Sequence, residues 1–180
     1  MIQNFKASSM IGICCCVVIM ILSYGVSFAQ GVPEDLEHKP ANIDVLAAFM
    51  NKLGYKKYKL IREKELHGII FVVRDNKSTE IIKFSVMFNP NDLVLKIECH
   101  DLAQVPSSPE KRDALLQRLT ELNGTRTIGK YYINGANKEV QYFYFRTVVG
   151  GICYADFQRT LRLIQFIVLK DLKILRDLTS

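Results

Sequence analysis

Tryptophan is absent from this 180-residue chain; histidine appears three times, proline five and glycine ten. These scarcities exclude several chemistries. No glycine-rich phosphate loop is present, and no C-x-x-C or H-x-x-x-H spacing marks a zinc site. His38, His67 and His100 stand far apart, so no local Cys–His or Ser–His catalytic pair is visible. Cys99-His100-Asp101 is the one local group of potential metal ligands, but neighbours on a strand point to opposite faces and cannot share an ion. No metal, cofactor or catalytic residue is expected. Lys and Arg are spread through the chain rather than bunched, which argues against a nucleic-acid partner.

The N-terminus is the richest segment. Lys6 gives a basic start, an apolar run follows from Met10 to Leu22, and Ser27-Phe28-Ala29 sets small residues at −3 and −1. That layout reads as a signal peptide over residues 1–29, cut between Ala29 and Gln30. The protein is then exported, to the periplasm or beyond the cell. The competing reading is an uncleaved anchor, because the uncharged stretch from Met10 to Ala29 is long enough to span a bilayer. Cleavage removes Lys6 alone among the charged residues and leaves 23 basic against 18 acidic side chains, a balance of +5. Such a charge supports at most a weak preference for acidic partners. Cys99 and Cys153 survive cleavage, and an oxidising compartment makes them a candidate disulfide; two buried free thiols are the alternative.

Residues 30–41, with Pro33 and Pro40, read as a linker, and residues 42–180 as a single domain. Asn42 is a helix N-cap ahead of Ile43, Leu46, Met50 and Leu53 at helical spacing, with Gly54 after the last. Tyr58 to Arg62 reads as a charged edge strand, and Ile69 to Val73 as a central strand buried on both faces. A turn at Asp75-Asn76-Lys77-Ser78 leads to Ile82, Phe84, Val86 and Phe88 in strict alternation. Leu93, Leu95, Ile97 and Cys99 alternate likewise. Ser108, Pro109 and Glu110 open a helix with Leu115, Leu119 and Leu122 on one stripe, closed by Asn123-Gly124. A hairpin of 128–133 and 140–148 follows, then a long helix from about Tyr154 carrying Phe157, Leu161, Ile164, Val168, Leu172 and Leu175. The fold class is α+β: an antiparallel sheet with helices on one face, in the order α-β-β-β(-β)-α-β-β-α.

On strand 140–147, Phe143 and Phe145 share one face, while Tyr142, Tyr144 and Arg146 share the other. With the phenylalanines assigned to the core, Tyr142, Tyr144 and Arg146, joined by Tyr132, form an outward patch of binding-hot-spot residue types. Tyrosines filling a half-wet sheet face are the plainer reading. Arg159, Arg162, Lys170 and Lys173 fall in one sector of the last helix, fit for an acidic partner or a solvated face.

Leu115 through Leu122-Asn123-Gly124, Gly129-Lys130-Tyr131, the aromatic strand 140–147 and Phe157 together resemble the YbjN-like family over about residues 42–175. Its members are described as bacterial regulators of sensory transduction, with a fold similar to that of type III secretion chaperones. The resemblance implies a non-enzymatic protein-binding module that docks a partner protein or forms a homodimer, and it supplies no catalytic residues. A small enzyme or ligand carrier is the alternative.

Overall fold

The structure, a computed structural model, describes residues 33–74 and 81–179. Residues from Asp35 onward make up one compact unit, and the stretch up to Glu34 is a separate one. The apolar segment 10–29, the Ala29–Gln30 junction and the turn at Asp75-Asn76-Lys77-Ser78 lie outside the described residues. No helix among the described residues is long and apolar enough to cross a membrane.

Among the described residues, after a short 3-10 turn at Glu34–Leu36, three α-helices and six strands follow one another as α1 (Ile43–Lys52), β1 (Tyr58–Arg62), β2 (His67–Arg74), β3 (Ile81–Asn89), β4 (Val94–Gln104), α2 (Pro109–Thr125), β5 (Lys130–Asn134), β6 (Glu139–Thr147) and α3 (Tyr154–Thr179). The sheet is antiparallel throughout, in the order β1-β2-β3-β4-β6-β5. Helix α1 begins where Asn42 Oδ1 accepts from the Val45 amide at 2.9 Å, and Gly54 lies just past its end at φ 88°. Pro109 opens α2, though the Ser108 side chain makes no capping bond.

One sheet face carries the core. Ile69 and Phe71, then Phe84, Val86 and Phe88, then Leu95, Ile97 and Cys99 are buried beneath the helices. Leu46 and Met50 of α1, Leu115, Leu119 and Leu122 of α2, and the six-residue stripe expected on α3 close over them. The expected linker is tied into this unit from Asp35 on: Asp35 pairs with Lys52 at 2.5 Å, and Lys39 and Ile152 exchange backbone hydrogen bonds at 2.8 and 2.9 Å.

Two expectations need correction. Strand β2 is not buried on both faces, because Val72 on the far side is 56 % exposed. Its β-branched run reflects strand propensity on a half-wet sheet, not a second layer. Strand β6 also faces the opposite way from its sequence reading: Tyr142 is fully buried, whereas Phe145 is 63 % exposed. The reason lies in the register. Tyr142 stands opposite both Cys99 on β4 and Tyr131 on β5, all on the core face, while Phe143 stands opposite Glu98 and Lys130.

Candidate functional site

The outer sheet face has no covering layer among the described residues. Alternation puts Lys59, Ile70, Ser85, Glu98 and Phe143 in one row across it, with Gly68, Met87, Lys96 and Phe145 in the next. Met87 lies over Gly68, where a Cβ would sit 2.3 Å from the methionine sulfur. An aromatic file runs along β5 and β6. Tyr132 meets Phe143 edge-on at 5.3 Å between centroids, and Phe143 stacks parallel on Phe145 at 6.0 Å. Such pairs are favourable beyond the area they bury, and here they hold the outermost ring, that of Phe145, in place against solvent.

Polar groups beneath the file are paired with one another. The Tyr132 hydroxyl donates to Glu98 Oε1 at 2.9 Å and lies 2.5 Å from the Gln141 carboxamide. Glu98 also pairs with Lys96 at 2.9 Å. Partial burial and the bond to Glu98 push the Tyr132 phenol up to about 12. Next to this cluster, Ser85 Oγ and His100 Nε2 are 2.8 Å apart. Burial, aided by Lys83 and Lys96, lowers the His100 pKa despite the opposing pull of Glu98 and Asp101. Beyond the cluster the face is cationic. Lys59, Arg74, Lys83 and Lys96 lie on it, against Glu98 and Glu139 at its acidic strand positions.

The residues singled out from sequence are divided between the two faces. Tyr132 is on the open face as expected. Tyr142, Tyr144 and Arg146 are on the core face, so they make no outward patch with it. Tyr142 donates to the Ile128 carbonyl at 2.5 Å and packs edge-on against Tyr131 at 4.9 Å. Its burial pushes the phenol upward. Arg146 lines a small cleft with Leu95, Ile97, Cys153 and Asp156. Arg159 and Arg162 are exposed on the helix layer, remote from Tyr132, and share their sector of α3 with Leu163, Phe166 and Ile174, which are exposed as well. Cys99 and Cys153 are both buried and both free thiols, not a bridge. Burial, seconded by Glu98, pushes the Cys99 thiol well above its usual range, so it stays protonated and unreactive.

Hydrophobicity alone assigns Phe143 and Phe145 to the core, and that assignment hides the site. The signal pointing the other way is Gly129. It sits at φ 62°, and a Cβ there would fall 2.2 Å from the Tyr142 hydroxyl. A glycine just before β5 therefore makes room for a tyrosine that crosses beneath it.

A second polar group is structural. Asp171 on α3, 1 % exposed, takes Arg126 in a forked ion pair at 2.5 and 2.6 Å and accepts from the Tyr131 hydroxyl at 2.8 Å. It joins the end of α2, β5 and α3.

No protein-family model and no curated protein matches the chain. Among solved structures, it is similar to one described as the ExsC–ExsE complex, with a TM-score of 0.45 and 13 % identity over 76 % of this chain and 92 % of that one. Nothing about partner or activity passes to this chain at that degree of similarity.

Proposed function

We infer that this protein is a non-enzymatic binding module whose open sheet face docks a partner protein with an acidic contact surface. The observation that carries the reading is the aromatic file Tyr132–Phe143–Phe145 on a sheet face that also carries four cations, Lys59, Arg74, Lys83 and Lys96, against two engaged carboxylates, Glu98 and Glu139. Large rings left in water cost solubility, and contiguous exposed apolar groups rimmed by charge are characteristic of interaction sites. The same excess of cations disfavours a second copy against this face, since each would bring the same charges. The YbjN-like resemblance and the expected export are in keeping with this role. N-terminal sequencing of protein collected outside the cytoplasm should begin at Gln30; recovery with residues 1–29 intact in the membrane fraction supports the anchor instead.

The decisive experiment is capture from the organism's own envelope or culture fluid, with Phe143→Ala/Phe145→Ala as the comparison. The double variant should stay folded and lose the partner that the wild-type chain retains, as expected for interface aromatics. A folded double variant that retains every captured protein refutes the face as the docking surface.

A further inference from the structure

The two edges of the sheet are finished differently. At the β5 edge, the Asn123 side chain acts as a short stand-in strand: its Oδ1 accepts from the Tyr131 amide at 2.7 Å, and its Nδ2 donates to the Tyr131 carbonyl at 2.9 Å. Lys130 reaches past it to the carbonyls of Asn123 and Arg126. That edge is closed to another strand at Tyr131.

The β1 edge has no such seal. Glu63 and Leu66 exchange both backbone bonds in the β1–β2 turn, at 3.0 and 3.3 Å. Antiparallel alternation then makes Ile61/Gly68 and Lys59/Ile70 the mutually bonded pairs and turns the amides and carbonyls of Tyr58, Leu60 and Arg62 away from the sheet. No backbone or side-chain hydrogen bond to those outward groups occurs among the described residues. Leu60 is exposed beside them; Lys56, Lys57, Lys59, Arg62 and Lys64 lie on or next to the strand in sequence against Glu63 and Glu65, with Arg62 paired to Asp44 at 2.7 Å. Edge lysines discourage pairing between copies of the same strand, and here they would set like charges against each other across any such pair. An acidic strand meets no such penalty.

We propose that β1 is an acceptor edge for an extended acidic segment of a partner protein, which adds as a seventh, outermost strand. The inference rests on the protein-binding reading above and gives it a partner class. Along the added strand, apolar side chains alternate with acidic ones, the apolar set covering Leu60 on the helix side and the acidic set meeting Lys59 on the open face. Backbone hydrogen bonds supply affinity and the alternating side chains supply selection, as in strand addition generally.

The test uses a fluorescein-labelled peptide of alternating glutamate and valine, with the full chain titrated into it and read by anisotropy. Binding should weaken at least about tenfold for a peptide N-methylated at alternate residues to remove its edge-facing donors. Leu60→Pro should do the same: it deletes an outward amide while sparing the bonds to β2, a replacement that edge strands tolerate. Should that variant fail to fold, Lys57→Glu/Lys59→Glu tests the same edge by reversing the preference towards a lysine–valine peptide. Equal binding of the N-methylated peptide, or unaltered binding by folded Leu60→Pro, overturns the inference. Peptide binding that Phe143→Ala/Phe145→Ala abolishes and Leu60→Pro spares also overturns it, yet leaves the docking face standing. If both the peptide test and the capture experiment fail, the binding-module reading falls with the edge.

Discussion

Tyr142 and Phe145 are three residues apart on one strand and lie on opposite faces of the sheet, so truncating each measures directly which face is the core. An aromatic side chain offers about 200 Å² of surface, and at about 25 cal/mol per Å² full burial stabilises by roughly 5 kcal/mol. Tyr142 is 0 % exposed, so Tyr142→Ala should lose most of that, about 4–5 kcal/mol with the cavity it leaves. Phe145 is 63 % exposed, which caps its share at about 2 kcal/mol; the partly collapsed unfolded chain reduces this towards 1. Tyr142→Phe isolates the hydroxyl: it leaves the Ile128 carbonyl without its donor and should cost about 1–2 kcal/mol. Urea denaturation followed by circular dichroism gives all three values, provided the m-values agree and a two-state transition holds. If Phe145→Ala costs as much as Tyr142→Ala, the outer face is covered and the docking surface described here does not exist.

Asp171→Asn removes the charge that compensates Arg126 and should destabilise by about 2–4 kcal/mol in the same assay, because breaking a buried pair strands its partner; a loss under about 0.5 kcal/mol would show that the cluster is not a structural lock. Folding stability should fall as pH rises from about 10 towards 12, since Tyr132 binds its proton more tightly folded than unfolded and its contribution is complete only below the unfolded value. Tyr131 and Tyr142 are raised as well and extend the decline upward; denaturation midpoints that stay level between pH 9 and 11 would contradict this. At the acid end, His100 has a lowered pKa, so its contribution is present above about pH 6.5 and is lost as pH falls through the folded value. His100→Gln should flatten that limb, and an unchanged limb would show that another group carries it. Both thiols should resist a thiol reagent in the native protein and react on unfolding, whereas a non-reduced chain with no titratable thiols when unfolded would indicate a bridge.

The helices were legible because capping residues and apolar spacing act locally: Asn42, Gly54, Pro109 and the Phe157-to-Leu175 stripe need no partner strand to be read. Strands β3 and β4 were legible because each has one plainly apolar parity. β6 has aromatic residues on both parities, so its orientation depends on register with β4 and β5, which is non-local information. The same gap explains the Arg126–Asp171–Tyr131 cluster, whose members are 45 and 40 residues apart in sequence. Asn123-Gly124 reads as a helix stop, yet α2 continues through both to Thr125, and the pairing of Asn123 with the Tyr131 backbone is not legible because it requires knowing that β5 is an edge.

The polar pairing under the outer face bears on how that face can bind. A partner that docks on loose side chains must order them, at roughly 0.5–1.5 kcal/mol for each immobilised one. Here much of that ordering is already done in the free protein. Glu98 is fixed between Lys96 and Tyr132, Tyr132 sets the edge of Phe143, and Phe143 supports Phe145. Removing the Tyr132 hydroxyl should therefore weaken partner binding without touching a contact atom, by loosening the ring beside Phe143. Tyr132→Phe tests this: a folded variant with partner affinity reduced about three- to tenfold fits a preorganised face, since one such hydrogen bond contributes about 1 kcal/mol. Unchanged affinity would mean that the aromatic file keeps its geometry by packing alone.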